Sequence, residues 1–118
     1  MLFDFETFTR IVRRVYPHGN AYSLQQALSV FYAYFQRYEQ RTGRAHPHIR
    51  GEQIRAIVEK MPYLERETFQ GEYTLINPED YSALIDCHFR TKYRRCDWNI
   101  NHFFSGRIRE LRFYEELY

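Results

Sequence analysis

Apolar residues recur at helical spacing along most of the chain. Over residues 4–16 they fall three or four positions apart, and Asp4 is placed to cap the helix they predict. A longer second helix is predicted after Ser23, because Ser23 and Gln26 fit a capping box and Gly43 suits a left-handed C-terminal cap. Its apolar stripe consists of Leu24, Leu28, Phe31, Phe35 and Tyr38.

The remaining pattern predicts three more helices and a short hairpin. A third helix over residues 50–61 stops at Pro62, and β-forming residues over 67–76 surround a turn-prone Gln-Gly step. Asn77 followed by Pro78 is typical of a helix start and predicts a fourth helix. After Asp97 a last helix is predicted, interrupted near Gly106. Its expected stripe is Ile100, Phe104, Ile108 and Leu111.

These elements predict a mainly α fold: a compact bundle of about five helices with a short β-hairpin near residues 67–76. There is no internal repeat and no linker-like tract, so we expect residues 1–118 to form a single helical domain. No apolar run is long enough to span a bilayer, and no signal-peptide pattern opens the chain. With only two cysteines, we expect a cytoplasmic protein that makes no membrane contact.

Composition adds two unusual features to this fold. The chain contains 22 aromatic residues (10 Phe, 11 Tyr, 1 Trp), and 15 of its 17 basic residues are arginine. The net charge of +2 divides into +4 over residues 1–60, −5 over 61–86 and +3 over 87–118. Most phenylalanines fit the predicted apolar stripes, whereas several tyrosines lie at the edges of these stripes.

The charge division places two basic segments on either side of an acidic middle segment, and this pattern favours a binding protein.

Two cysteines and two histidines near the C-terminal end of the sequence are candidate metal ligands. Cys87, His88, Cys96 and His102 lie within 16 residues, but they lack the two close ligand pairs that zinc sites use. A buried cysteine is also a common core residue. We therefore expect neither a metal nor a cofactor, and the sequence leaves open whether these four side chains meet in space.

Catalytic motifs are weak or absent. The chain has no phosphate-binding loop, no nucleophile elbow and no metalloprotease motif. Metal-independent ribonucleases that use Arg-x4–6-His would pair an arginine that steadies phosphate with a histidine that transfers protons. Four pairs in this sequence fit that spacing, against about two expected by chance for 15 Arg and 5 His. Arg95 and His102 form the pair most worth testing, and the balance is against an enzyme.

Arginine and tyrosine placement carries the main functional hypothesis. Guanidinium groups grip phosphates and stack on bases, and arginine and tyrosine also dominate protein–protein hot spots. On the second helix a tyrosine and three arginines share one side, and two more arginines lie in the predicted third helix. Two further arginines precede the last helix, and another two share its polar face. The predicted binding residues are Tyr34, Arg37, Arg41, Arg44, Arg50, Arg55, Arg94, Arg95, Arg109 and Arg112.

The residues favour a small non-enzymatic protein that binds DNA or RNA. The order of three helices and a hairpin resembles a winged-helix arrangement with residues 50–61 as recognition helix, although the acidic hairpin would repel phosphate. The alternative is a protein-binding module or small inhibitor of the kind that mobile elements encode, either monomeric or a homodimer. An Arg-x4–6-His ribonuclease is a distant third.

Overall fold

The computed structural model of the chain describes residues 1–67, 70–91 and 96–117. Within them the order is three helices, a two-stranded hairpin and three further helices, which confirms the mainly α fold with a short hairpin. The elements are α1 (Phe5–Val15), α2 (Leu24–Thr42), α3 (Gly51–Lys60), β1 (Tyr63–Glu67), β2 (Tyr73–Leu75), a 3₁₀ turn (Pro78–Asp80), α4 (Tyr81–Arg90), α5 (Ile100–Phe103) and α6 (Ile108–Leu117). None of the described helices has the length and apolar character needed to cross a membrane.

Local capping signals fix the ends of the first two helices as predicted. The Asp4 carboxylate accepts a hydrogen bond from the backbone N–H of Thr7. At the start of α2 the Gln26 backbone N–H donates to Ser23 Oγ, and the Ser23 N–H donates to Gln26 Oε1, which completes the capping box. Gly43 ends this helix with φ of 71°, a conformation that a residue with a Cβ adopts at a cost.

The long helix α2 packs against both α1 and α4 and supplies the centre of the core. Its predicted stripe is buried except at its first residue, Leu24, which is half-buried. Rings from the N-terminal segment complete this region: Phe3 stacks on Phe35 with ring centroids 4.2 Å apart. Apolar residues at helical spacing in α3 and α4 are also buried, so helical periodicity located most of the core. They are Ile54, Ile57 and Val58 in α3, and Tyr81, Leu84, Ile85 and Phe89 in α4.

The hairpin begins earlier than its composition indicated. β1 pairs antiparallel with β2, with Tyr63 opposite Leu75, so the first strand starts four residues before the predicted segment. The expectation rested on β-forming residues around the turn, but the strand that pairs with β2 follows α3 directly and is rich in charged residues. Leu64 is buried beneath the hairpin, while Tyr73 and Leu75 are exposed.

The predicted last helix is divided into two helices, α5 and α6. The apolar stripe predicted for it does not match the buried residues of α6. The turn between α5 and α6 contains Gly106, which adopts a φ of 51°. Because an α-helix advances about 100° per residue, this break resets which side chains of α6 face the core. Leu111 is 49% exposed, whereas Arg109 is 1% exposed. Polar side chains therefore occupy inner positions that an uninterrupted helix would have given to apolar ones.

Candidate functional site

Trp98, in the segment that precedes α5, has an unusual backbone conformation and lies against Arg41 near the C-terminal end of α2. Its φ is 60°, a left-handed value that is uncommon for a bulky residue and indicates a position fixed by its surroundings. Its N–H donates to Cys96 Sγ at 3.3 Å, and its carbonyl oxygen accepts from Tyr34 Oη at 2.8 Å. The indole stacks on Phe89 of α4, with centroids 5.1 Å apart and planes 18° apart.

His46 fixes the same segment from the other side. Its Nε2 accepts a hydrogen bond from the N–H of Ile100, the first residue of α5, at 3.0 Å. Its Nδ1 lies 2.8 Å from the Pro47 carbonyl oxygen, so Nδ1 carries the hydrogen and the ring is neutral. Burial is the main cause of the lowered pKa of His46. The neutral imidazole thus caps α5 and ties the Trp98 segment to the loop after α2.

Two arginines of α2 lie against these rings. The Arg41 guanidinium carbon is 5.2 Å from the centre of the Trp98 ring, and that of Arg37 is 5.4 Å from the centre of Phe89. Arg37 is also paired with Asp86, with 3.2 Å between Nε and Oδ1. Cation–π contacts of this kind hold a guanidinium in place without neutralising its charge.

Arg41 and the following Arg44 retain their full hydrogen-bonding capacity. Both are exposed, and neither side chain forms an ion pair or a hydrogen bond with any described residue. Together with Arg37 and Trp98 they form what we call the arginine–tryptophan surface. Because the guanidinium donors of Arg41 and Arg44 have no partner in this part of the chain, they are free to bind an anionic ligand.

Tyr34, predicted on this surface, is instead fully buried. It lies on the same side of α2 as Phe31 and Tyr38, and its ring is 5.5 Å from that of Phe103. Although Tyr34 and Arg37 are only three positions apart on α2, Tyr34 belongs to the buried side of the helix and Arg37 lies at the edge of its exposed side. Tyr34 therefore cannot contact a ligand, but its hydrogen bond to the Trp98 carbonyl helps to hold Trp98 in position beside Arg41.

The buried position of Arg109 corrects its predicted place on a polar helix face. Its Nη1 donates to the Lys60 carbonyl at 2.7 Å and to Tyr81 Oη at 2.8 Å, and its Nη2 donates to the Tyr63 carbonyl at 2.5 Å. The Lys60 carbonyl is one of the unsatisfied oxygens at the C-terminus of α3, where a cation is favoured. Arg109 is thus a structural cap between α3, β1 and α4.

Tyr81 completes this buried network. Its hydroxyl donates to the Met61 carbonyl at 2.5 Å while accepting from Arg109. Burial raises the pKa of Tyr81 to about 12, and the nearby guanidinium works in the opposite direction. The phenol is consequently neutral at physiological pH and acts as both donor and acceptor.

The other predicted arginines are dispersed. Arg112 is buried, and its Nη1 donates to Glu115 Oε2 at 2.5 Å, so it too is removed from the expected surface. Arg50 and Arg55 are exposed, but they pair with Glu52 at 3.2 Å and Glu59 at 3.0 Å. Arg94 and Arg95 lie outside the described residues.

The cysteines and histidines singled out from the sequence form no metal centre in the described part of the chain. No group of three or more His, Cys, Asp or Glu side chains there is arranged to hold a metal ion. The rings of His88 and His102 do approach to 5.7 Å. Burial, followed by the nearby charges of His102 and Arg112, lowers the pKa of His88 to about 3, so His88 is a neutral core residue.

The proposed Arg95–His102 pair lies partly beyond the described residues, because Arg95 falls outside them; His102 is half-buried. Trp98, in contrast, was missed as a functional residue by sequence reasoning. Its signals were slight: it is the only tryptophan, and it follows a basic segment that connects Thr91 to Cys96. The chain matches no protein-family model, no curated protein and no solved structure.

Proposed function

We propose that the protein is a small non-enzymatic nucleic-acid-binding protein that contacts phosphates through its arginine–tryptophan surface. The observation that carries the proposal is the state of Arg41, whose charge is unpaired while its guanidinium is held over the Trp98 ring. A planar guanidinium presents paired N–H donors that match the oxygens of a phosphate. Holding it in position reduces the side-chain entropy lost when a ligand binds.

In the sequence, Trp98 follows shortly after the basic residues 92–95, Lys-Tyr-Arg-Arg, which add to the positive charge of the chain. Non-specific affinity for nucleic acid arises from such charges, since each neutralised phosphate releases counterions. Within the acidic stretch 61–86, Asp86 of α4 pairs with Arg37 and so reduces the charge of the surface. The other acidic residues of the stretch belong to the hairpin and the 3₁₀ turn and are assigned no part in binding.

The proposal does not use α3 as a recognition helix. Its arginines are paired with neighbouring carboxylates, and the helix packs chiefly against α1 rather than projecting from the protein. A helix that reads a major groove needs unpaired side chains that reach base edges. The winged-helix interpretation consequently gains no support from these contacts.

Fluorescence anisotropy with labelled DNA and RNA oligonucleotides across a salt series tests the proposal. We expect log affinity to fall linearly with log salt concentration, with a slope of about −0.7 per phosphate on single strands and −0.9 on duplex DNA. Arg41→Ala combined with Arg44→Ala removes two contacts and is expected to weaken binding to all sequences and to flatten the slope by about two phosphate equivalents.

The matched control is Arg13→Ala combined with Arg14→Ala. These arginines are exposed on α1, and their removal changes the net charge equally. Equal losses in the two double variants would reject the arginine–tryptophan surface as the site. No binding by the unaltered protein at ~50 mM salt, where phosphate contacts are strong, would reject nucleic acid as the ligand. The surface would then be assigned to a protein partner, the alternative that arginine-rich interfaces favour.

A further inference from the structure

We infer that the ligand of the arginine–tryptophan surface is an unpaired nucleic-acid strand, one base of which stacks on Arg41. This inference rests on the proposed function and narrows it from nucleic acids in general to single strands. Two features support it: the stacking of the rings beside the Arg41 guanidinium, and the two cations of the surface, Arg41 and Arg44, that have no partner among the described residues.

Arg41 lies against a pair of stacked aromatic rings. Phe89 and Trp98 stack on each other, and the Arg41 guanidinium covers the Trp98 ring. Because Arg41 is exposed, a further planar group can extend this packing on the solvent side. A nucleobase is such a group: bases stack on aromatic rings and on guanidinium planes alike. The N–H groups at the edge of Arg41 would then reach the adjoining phosphate.

Two of the three arginines of the surface have no ion-pair partner among the described residues. Of the three arginines on the surface, Arg37 is neutralised by Asp86, which leaves Arg41 and Arg44. Two phosphate contacts alone give weak binding at physiological salt. Stacking on an exposed platform supplies affinity that does not depend on charge, and it requires a base that is not already paired inside a duplex.

The packing of α2 limits which ligands can contact it. α2 is buried along one side by α1 and α4, so it cannot enter a major groove as an isolated helix would. The C-terminal end of α2 is exposed and can instead be contacted by a flexible single strand. Duplex DNA would meet the same two arginines without access to the stacking platform.

Trp98, as the only tryptophan, reports directly on this site. The test is a titration of its fluorescence with three 12-nucleotide probes: oligo(dT), an abasic strand of the same length, and a 12-base-pair duplex. We expect oligo(dT) to change the Trp98 emission and to bind about tenfold more tightly than the abasic strand, which has the same phosphates but nothing to stack. We expect the duplex to bind more weakly than oligo(dT).

A conservative variant separates stacking from charge. Arg41→Lys keeps the positive charge but loses the planar group, so we expect it to bind oligo(dT) and the abasic strand equally, with an unchanged salt slope. Arg44→Lys is the matched control and should keep the preference for bases. Equal affinity of the unaltered protein for oligo(dT) and the abasic strand, or tighter binding of the duplex, would overturn the inference and leave phosphate binding intact. Failure of all three probes to bind would instead reject the proposed function.

Discussion

The hydroxyl of Tyr34 donates a 2.8 Å hydrogen bond to the carbonyl oxygen of Trp98, 64 positions later in the chain. Both residues are buried, and the bond joins the middle of α2 to the segment that precedes α5. Since Trp98 in turn supports Arg41, an interior hydrogen bond sets the geometry of an exposed cation. The core and the candidate binding surface are therefore parts of one arrangement.

Tyr34→Phe removes only the hydroxyl and tests this coupling. It leaves the buried Trp98 carbonyl without its partner, so we expect the free energy of unfolding to fall by about 1–2 kcal/mol, as measured by urea denaturation. Oligonucleotide affinity should fall as well, because Arg41 loses part of its support. Tyr32→Phe, at an exposed position of the same helix, should change neither quantity. A Tyr34→Phe protein with normal stability and affinity would contradict the coupling.

Asp97 immediately precedes Trp98 and brings a negative charge to the arginine–tryptophan surface. Its Oδ1 accepts the Asn99 N–H at 3.0 Å, and an asparagine oxygen can accept the same bond. We therefore expect Asp97→Asn to preserve the fold and to strengthen oligonucleotide binding about two- to threefold at low salt, an effect that salt should screen. Anisotropy titrations at two salt concentrations measure this. Weaker binding by the variant would place the ligand elsewhere.

Arg109→Met tests the buried cap between α3, β1 and α4. The substitution keeps an extended apolar side chain but leaves the carbonyls of Lys60 and Tyr63 without their donor. We expect the free energy of unfolding to fall by about 2–4 kcal/mol, because two carbonyl oxygens lose their hydrogen-bond donor. Arg107→Met, at an exposed position of the preceding turn, is the control. Comparable unfolding midpoints for the two variants would show that the network contributes little.

Two buried histidines predict how stability depends on pH. The folded protein holds the pKa of His46 and His88 below the ordinary value of 6.5, mainly through burial. Below pH 6.5 the unfolded chain therefore binds protons that the folded protein does not. Stability is complete above that pH and falls as the pH decreases towards the folded values, which is about 3 for His88. The slope is up to about 1.4 kcal/mol per pH unit for each histidine.

Urea denaturation between pH 7 and pH 5 measures this slope before most carboxylates titrate. His88→Leu removes one of the two histidines whose pKa is lowered by folding, so the stability of this variant should depend less steeply on pH than that of the unaltered protein. The comparison concerns the slope alone, because the substitution also changes packing. Identical slopes, or constant stability across this range, would mean that the buried histidines do not control acid unfolding.

Signals close together in sequence predicted most of the fold. The capping box at Ser23 and the left-handed cap at Gly43 each depend on residues within one helical turn, and α2 has the predicted ends. The buried faces of α3 and α4 follow equally from periodicity. The hairpin was located only approximately, because charged β1 forms through pairing with β2 and not through its own composition.

The candidate site was only partly predictable because it is assembled from distant segments. Arg37, Arg41 and Arg44 were identified from their spacing on one helix, but nothing local indicates that Trp98 lies beneath Arg41. The burial of Arg109 follows from acceptors 46 to 49 positions earlier. The sequence gives the number of arginines, but only tertiary contacts show which of them cap a helix and which have no partner among the described residues.

The turn around Gly106 has a consequence for how the chain tolerates change in length. Each residue rotates a helix by about 100°, so deleting or inserting one residue in this turn would change the direction of every side chain of α6. Arg109 would then lose its hydrogen bond to the Lys60 carbonyl, and different side chains would face the core. A substitution in this turn alters one side chain, whereas an insertion or deletion of one residue changes which side chains face the core along the whole of α6. Length variation between α5 and α6 should therefore be far more damaging than variation in residue identity.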